Sequence, residues 1–174
     1  MKIKGIIGGC GVAILILLLW AGLGQAYDSD VSRQTLKGIS AVYVVIEEFQ
    51  PELNRYARLQ KSHLTRSQLQ QEVEARLKKA GIAVLTREQW TKTPGMPALY
   101  ININTHEYEK YRYAYNIALE LQQLVALQTN PAKKALAGTW SLNMTGVVHI
   151  GQLSALNGNV GELVDRFARI LNKK

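Results

Sequence analysis

The chain has 174 residues, a formal charge of +8 and one cysteine. That length suits a single domain with a proper core. The lone cysteine excludes a disulfide scaffold, and the basic balance points to anionic partners such as lipid headgroups, glycans or acidic proteins.

The first residues, MKIKGIIGGCGVAILILLLWAGLGQAYDSD, place Lys2 and Lys4 ahead of an apolar run. Gly24 and Ala26 supply small residues at the −3 and −1 positions. This layout predicts a secretory signal peptide over residues 1–26, cut before Tyr27. The alternative is an uncleaved anchor, because residues 5–24 carry no charge and are long enough to cross a bilayer as a helix. In either case the domain is expected outside the cytoplasm, periplasmic or secreted, or anchored in the inner membrane and facing the periplasm. Cys10 precedes the apolar core instead of following it, so it is not read as a lipidation site. Cutting after Ala26 removes Lys2 and Lys4 and lowers the formal charge to +6. The compartment then argues against nucleic acid as a partner.

Residues 27–38 are polar and aperiodic and are expected to form a tether, followed by a single α/β domain over 39–174. Residues 40–49, SAVYVVIEEF, are rich in β-branched and aromatic side chains with both alternating faces apolar. That predicts an interior strand covered on both sides, ended by Pro51. A helix follows from Thr65 to Ala80. Thr65 and Gln68 have capping-box spacing, Leu64 and Leu69 can staple the first turn, and Gly81 is a natural stop. Leu69, Val73 and Leu77 share one face, and Glu72–Arg76 and Glu74–Lys78 are paired four apart. The short strand at residues 82–86 completes a crossover, whose two strands should be parallel.

After one helical turn and a Pro/Gly loop, residues 98–105 alternate Leu99, Ile101 and Ile103 against Tyr100, Asn102 and Asn104. Residues 111–122 alternate as well, with Tyr111, Tyr113, Tyr115, Ile117, Leu119 and Leu121 on one face. Residues 139–150 form a third alternating strand, joined to the second by a loop at residues 129–134. A C-terminal helix is expected from the Asn159/Glu162 capping spacing and the apolar set Leu163, Val164, Phe167, Ile170 and Leu171. The order β-α-β-β-β-β-α predicts an α+β two-layer sandwich, a mixed sheet of about five strands with both helices on one face.

That layout, with the helix-to-strand passage QQEVEARLKKAGIAVLT at residues 70–86, resembles bacterial envelope domains of two kinds. One is the amino-terminal domain of TolB; the other is the CsgG-like domain of outer-membrane secretion lipoproteins. The resemblance implies a protein that binds other envelope components and carries no catalytic residues. The chain departs from it in having neither the propeller that accompanies the TolB domain nor the lipidated cysteine of the CsgG type.

Two surfaces are candidate binding sites. Residues 55–79 hold seven basic side chains against Glu72 and Glu74. Of these Arg55, Arg58 and Lys61 are placed at the domain rim, where a loop or loose turn keeps charges available, and Arg66 of the capped helix is a further binding candidate. The competing reading is a solvated face. Tyr111, Tyr113 and Tyr115 form an aromatic row that reads first as the upper edge of the core and second as a platform for a glycan or peptide. His63, His106 and His149 lie far apart without metal-ligand spacing. Neither a metal nor a cofactor is expected, and no catalytic motif is present. The expected function is non-catalytic binding or assembly in the cell envelope, contacting an envelope protein or an anionic lipid or glycan surface, with membrane association compatible. The alternative is a cell-wall glycan hydrolase working through the cluster Glu47, Glu48 and Glu52.

Overall fold

The computed structural model describes residues 28–59 and 64–173, the side chains of residues 58 and 59 excepted. The expected signal or anchor segment over 1–26 lies outside the described residues. In chain order the elements are α1 (Asp30–Gln34), β1 (Ala41–Ile46), α2 (Pro51–Leu59), α3 (Arg66–Lys79), β2 (Ala83–Val84) and α4 (Arg87–Lys92). There follow β3 (Ala98–Glu109), β4 (Arg112–Leu127), β5 (Asn130–His149) and α5 (Ala155–Asn172).

The sheet runs β2-β1-β3-β4-β5. Both neighbours of β1 are parallel to it, and β3, β4 and β5 form an antiparallel meander. This is the expected two-layer α/β sandwich with a mixed five-stranded sheet. The parallel β1–β2 pair comes from the crossover through α3, and the meander from two tight hairpins. One sheet face packs on α3 and α5 through Val42, Val44 and Ile46 of β1, Leu99 and Ile101 of β3, Ile117, Leu119 and Leu121 of β4, and Trp140 of β5. Period-two alternation along every long strand sends these side chains to one side.

Helix α3 is built as its sequence implies. The Thr65 hydroxyl accepts from the Gln68 amide, and Leu69, Val73 and Leu77 are fully buried. At its end Gly81 takes φ +80° while its amide donates to Lys78 and that of Ile82 to Leu77. This double bond pattern needs a left-handed residue at that position, which glycine adopts without strain. The Glu72–Arg76 and Glu74–Lys78 pairs form at 2.9 and 3.7 Å.

Five expectations are corrected. Residues 28–36 do not hang free as a tether: Asp28 and Leu36 are buried, and Ser29 caps the short helix α1. Pro51 does not merely end a strand. It stands first in α2, where its fixed φ suits a helix start and its missing N–H costs nothing. β1 is interior as expected, but its second face is only partly covered: Tyr43, stacked on Trp90 of the short helix α4 at 5.2 Å, and Val45 are half-buried. Helix α5 begins at Ala155, before the Asn159 spacing, and Asn159 spends its amide on the Tyr115 hydroxyl at 2.8 Å. Finally, β5 starts at Asn130, so the connection expected over 129–134 is mostly strand.

Candidate functional site

Arg55 of the basic segment and Tyr113 of the tyrosine row come together at one end of the molecule. Arg55 is exposed on α2, its guanidinium 5.0 Å from the centroid of the Tyr56 ring and donating to the Tyr56 hydroxyl at 3.1 Å. Tyr56 packs in turn on Tyr113 of β4, with centroids 5.6 Å apart and rings tilted by 58°. Leu53 and Ala57 bury the inner face of α2, which fixes the height of this stack over the sheet. An attached base is thereby anchored through two aromatic rings to the core.

Tyr113 is the core-capping member of the expected row. It is 5% exposed, and its hydroxyl is buried without a hydrogen bond of full geometry. Burial, the Tyr56 hydroxyl and the Glu107 carboxylate push its phenol above the usual tyrosine range. Tyr56 moves the opposite way, lowered by the Tyr113 hydroxyl and by Arg55. Tyr115 is half-buried beside α5, as expected of a residue at the core's edge.

Tyr111 departs from the expected row. It sits in the β3–β4 turn with φ +67°, is 49% exposed, and its amide donates to Glu107 Oε1 at 3.1 Å. A tyrosine in left-handed backbone is sterically disfavoured. Lys110 Nζ stands 5.0 Å over its ring, and His149 approaches edge-on at 6.5 Å. Tyr108, at the irregularity between Glu107 and Glu109, is equally exposed, and Arg112 pairs with Glu109 at 3.6 Å. The rim therefore presents Arg55, Tyr108, Lys110, Tyr111 and Arg112. Tyr56 was not foreseen as part of it. Adjacency of Tyr56 to Arg55 in the sequence was the available signal.

Arg66 does not belong to this surface. Its Nε donates to the Ile46 carbonyl at 2.8 Å, and its Nη1 lies 3.2 Å from Glu48 Oε2. With Gln70, which donates to the Val44 carbonyl at 3.2 Å, it closes the edge of β1 that the two-residue β2 leaves bare. The Arg58 side chain and Lys61 lie outside the described residues.

The carboxylates of the alternative reading do not converge. Glu47 accepts from the Tyr100 hydroxyl on the open sheet face, Glu48 pairs with Arg66 on the helix side, and Glu52 is exposed on α2. Among the described residues no group of three or more His, Cys, Asp or Glu is placed to hold a metal ion.

A second polar centre had no sequence signal beyond the need of a buried indole N–H for a partner. The Asp28 side chain is fully buried and accepts from Arg33 Nε and Nη2 at 2.7 and 2.9 Å, Trp140 Nε1 at 3.0 Å and Arg166 Nη2 at 3.2 Å. The Arg33 hydrogen bond, against the opposing pull of burial, holds its pKa down at about 2. On the outer side of the helices an open groove of about 840 Å³ runs between α3 and α5, floored by Ala75 and Ala168. Arg76 crosses it to reach Glu72 and Asp165 at 2.9 and 2.7 Å.

The fold and rim define a two-layer α/β domain with a basic-aromatic surface and no converging acid pair. No protein-family model and no curated protein matches the chain. A solved structure of a minor lipoprotein from Acinetobacter baumannii is similar at a TM-score of 0.28 and 8% identity over 75% of this chain and 86% of that one. Among the described residues no helix is long and apolar enough to cross a membrane.

Proposed function

We propose that the protein is a non-catalytic module of the cell envelope that binds an acidic envelope component through the α2 and β3–β4 rim. The observation that carries this reading is the Arg55–Tyr56–Tyr113 stack. It fixes a cation on rings rooted in the core, beside two exposed tyrosines and two further bases. Rigid aromatics with fixed cations lose little conformational entropy on binding, which suits recognition of an anionic surface. The envelope address is supported by the leader layout of residues 1–26 and by the order of elements.

A glycan hydrolase acting through Glu47, Glu48 or Glu52 lacks comparable support, because acid and base must flank one bond, whereas Glu47 and Glu48 are held by separate partners and Glu52 stands exposed on α2. The test is cross-linking and capture from intact cells. Changing Arg55, Arg58 and Lys61 together to Gln removes three positive charges; the exposed Arg55 contributes little to stability, and the variant should fold. It should reduce capture, and the difference should shrink as salt rises.

A further inference from the structure

At the opposite end of the sheet, β4 pairs with β3 only as far as Gln122, opposite Ala98, yet continues with β5 to Leu127. Residues 123–127 therefore carry the β4–β5 hairpin roughly 17 Å past β3, at about 3.4 Å per residue. Its base is steadied by Leu124, whose amide donates to the Gly95 carbonyl at 2.7 Å. Beyond that base both faces meet solvent. Leu127 is 48% and Leu136 44% exposed. Between residues 121 and 140 the only charged side chains are Lys133 and Lys134. Pro131, Lys133 and Lys134 are residue types that keep a bare strand edge from pairing with another strand, and they leave the hairpin with positive charge alone beside the exposed Leu127 and Leu136.

Asp28, the first described residue after the apolar N-terminal stretch, lies at this same end. Asp28 accepts from Trp140, which adjoins Thr139, the extra residue where the β4–β5 register shifts at the root of the hairpin. Only Gln25, Ala26 and Tyr27 separate Asp28 from Gly24, where the apolar stretch ends. Four links of extended chain reach at most roughly 14 Å. Lys37 and Lys173, both exposed, line a neighbouring groove of about 720 Å³ with Arg33, Ile170 and Leu171; Asp30 is its one carboxylate.

We propose that this end faces the membrane and that the β4–β5 hairpin contacts anionic lipid headgroups. Lys133 and Lys134 supply the attraction, and Leu127 and Leu136 enter the boundary between headgroups and acyl chains. The inference rests on the envelope reading in its anchored form, with residues 1–26 retained, but uses a different surface, and it turns the Arg55 rim away from the bilayer toward a partner.

Hydrogen exchange on the full chain, reconstituted in vesicles of phosphatidylcholine alone and in vesicles containing phosphatidylglycerol, tests it. Amides of residues 123–137 should exchange several-fold more slowly with phosphatidylglycerol present, and K133Q/K134Q should abolish the difference. Residues 106–113 should exchange equally in both. Slowing confined to residues 51–59 and 106–113 would overturn the proposal while leaving the rim reading intact. Equal exchange at 123–137 in both vesicles would overturn it and leave the rim to the capture experiment. Slowing at 123–137 in both vesicles that grows with protein density would mean a second copy on the β5 edge, and would also overturn it.

Discussion

Tyr115 lies across Gly146, its partner on β5: a Cβ added to that glycine would stand 2.5 Å from the phenolic oxygen and 2.7 Å from Cζ. The same hydroxyl accepts from Asn159 of α5 at 2.8 Å, so ring, strand and helix are locked together. Gly146→Ala should therefore cost about 1–3 kcal/mol, the range for forcing atoms into a packed site. Tyr115→Phe, which keeps the ring and loses one hydrogen bond, should cost about 1 kcal/mol. Denaturant unfolding of both variants checks the order.

Gly161 gives the opposite balance. A Cβ there meets the Arg76 guanidinium at 2.6 Å, but that group ends a flexible side chain. Alanine gains about 1 kcal/mol of helix propensity over glycine. Displacing Arg76 from the half-exposed Glu72 and Asp165 loses up to about 1 kcal/mol. Gly161→Ala should thus lie between neutral and about 1 kcal/mol more stable than the parent in the same unfolding measurement.

Asp28 makes stability depend on acid. Its folded pKa is lowered from 3.8 to about 2, so its contribution is complete above the unfolded value and lost as pH falls through the folded one. The shift corresponds to about 2 kcal/mol. Melting temperature should fall between about pH 4 and about pH 2 more steeply for the parent than for Asp28→Asn, which should be destabilised near neutrality. Parallel slopes would contradict the assignment.

The core was legible in the sequence because alternation and capping are local. Val42 to Ile46, Leu99 to Ile103 and the α3 face follow from spacing alone. Leu77→Ala should cost about 2–5 kcal/mol and Phe167→Ala about 3–5, as both are fully buried. What escaped the reading depends on distant partners. A proline that ends a strand and one that starts a helix look alike, so α2 was hidden at Pro51. Residues 130–138 contain no β-branched residue and become strand because residues 123–127 offer a ladder. Asp28 acquires its role from Trp140 and Arg166, both more than a hundred positions away. Of the expected site, Arg55 stands exposed and Tyr113 packs as foreseen. Arg66 serves the sheet edge, and Tyr111 left the strand for a turn.

Tyr111 offers a separation of stability from binding. Left-handed backbone at a non-glycine residue costs on the order of 1–3 kcal/mol. Tyr111→Gly should therefore melt no lower than the parent while losing an exposed ring. Tyr113→Ala should melt lower, by about 3 kcal/mol or more as for other buried aromatics.

Salt-dependent capture is the most direct test of the rim as the binding surface. Wild type, the Arg55/Arg58/Lys61 to Gln triple variant and Tyr111→Gly are cross-linked in intact cells and compared beside a thermal melt. The account predicts folded variants, with the partner recovered by wild type and depleted in both. The triple variant's deficit should fade at high salt, because exposed charges are screened within roughly 8 Å at physiological ionic strength and more tightly above it. Undiminished capture by both folded variants would contradict it.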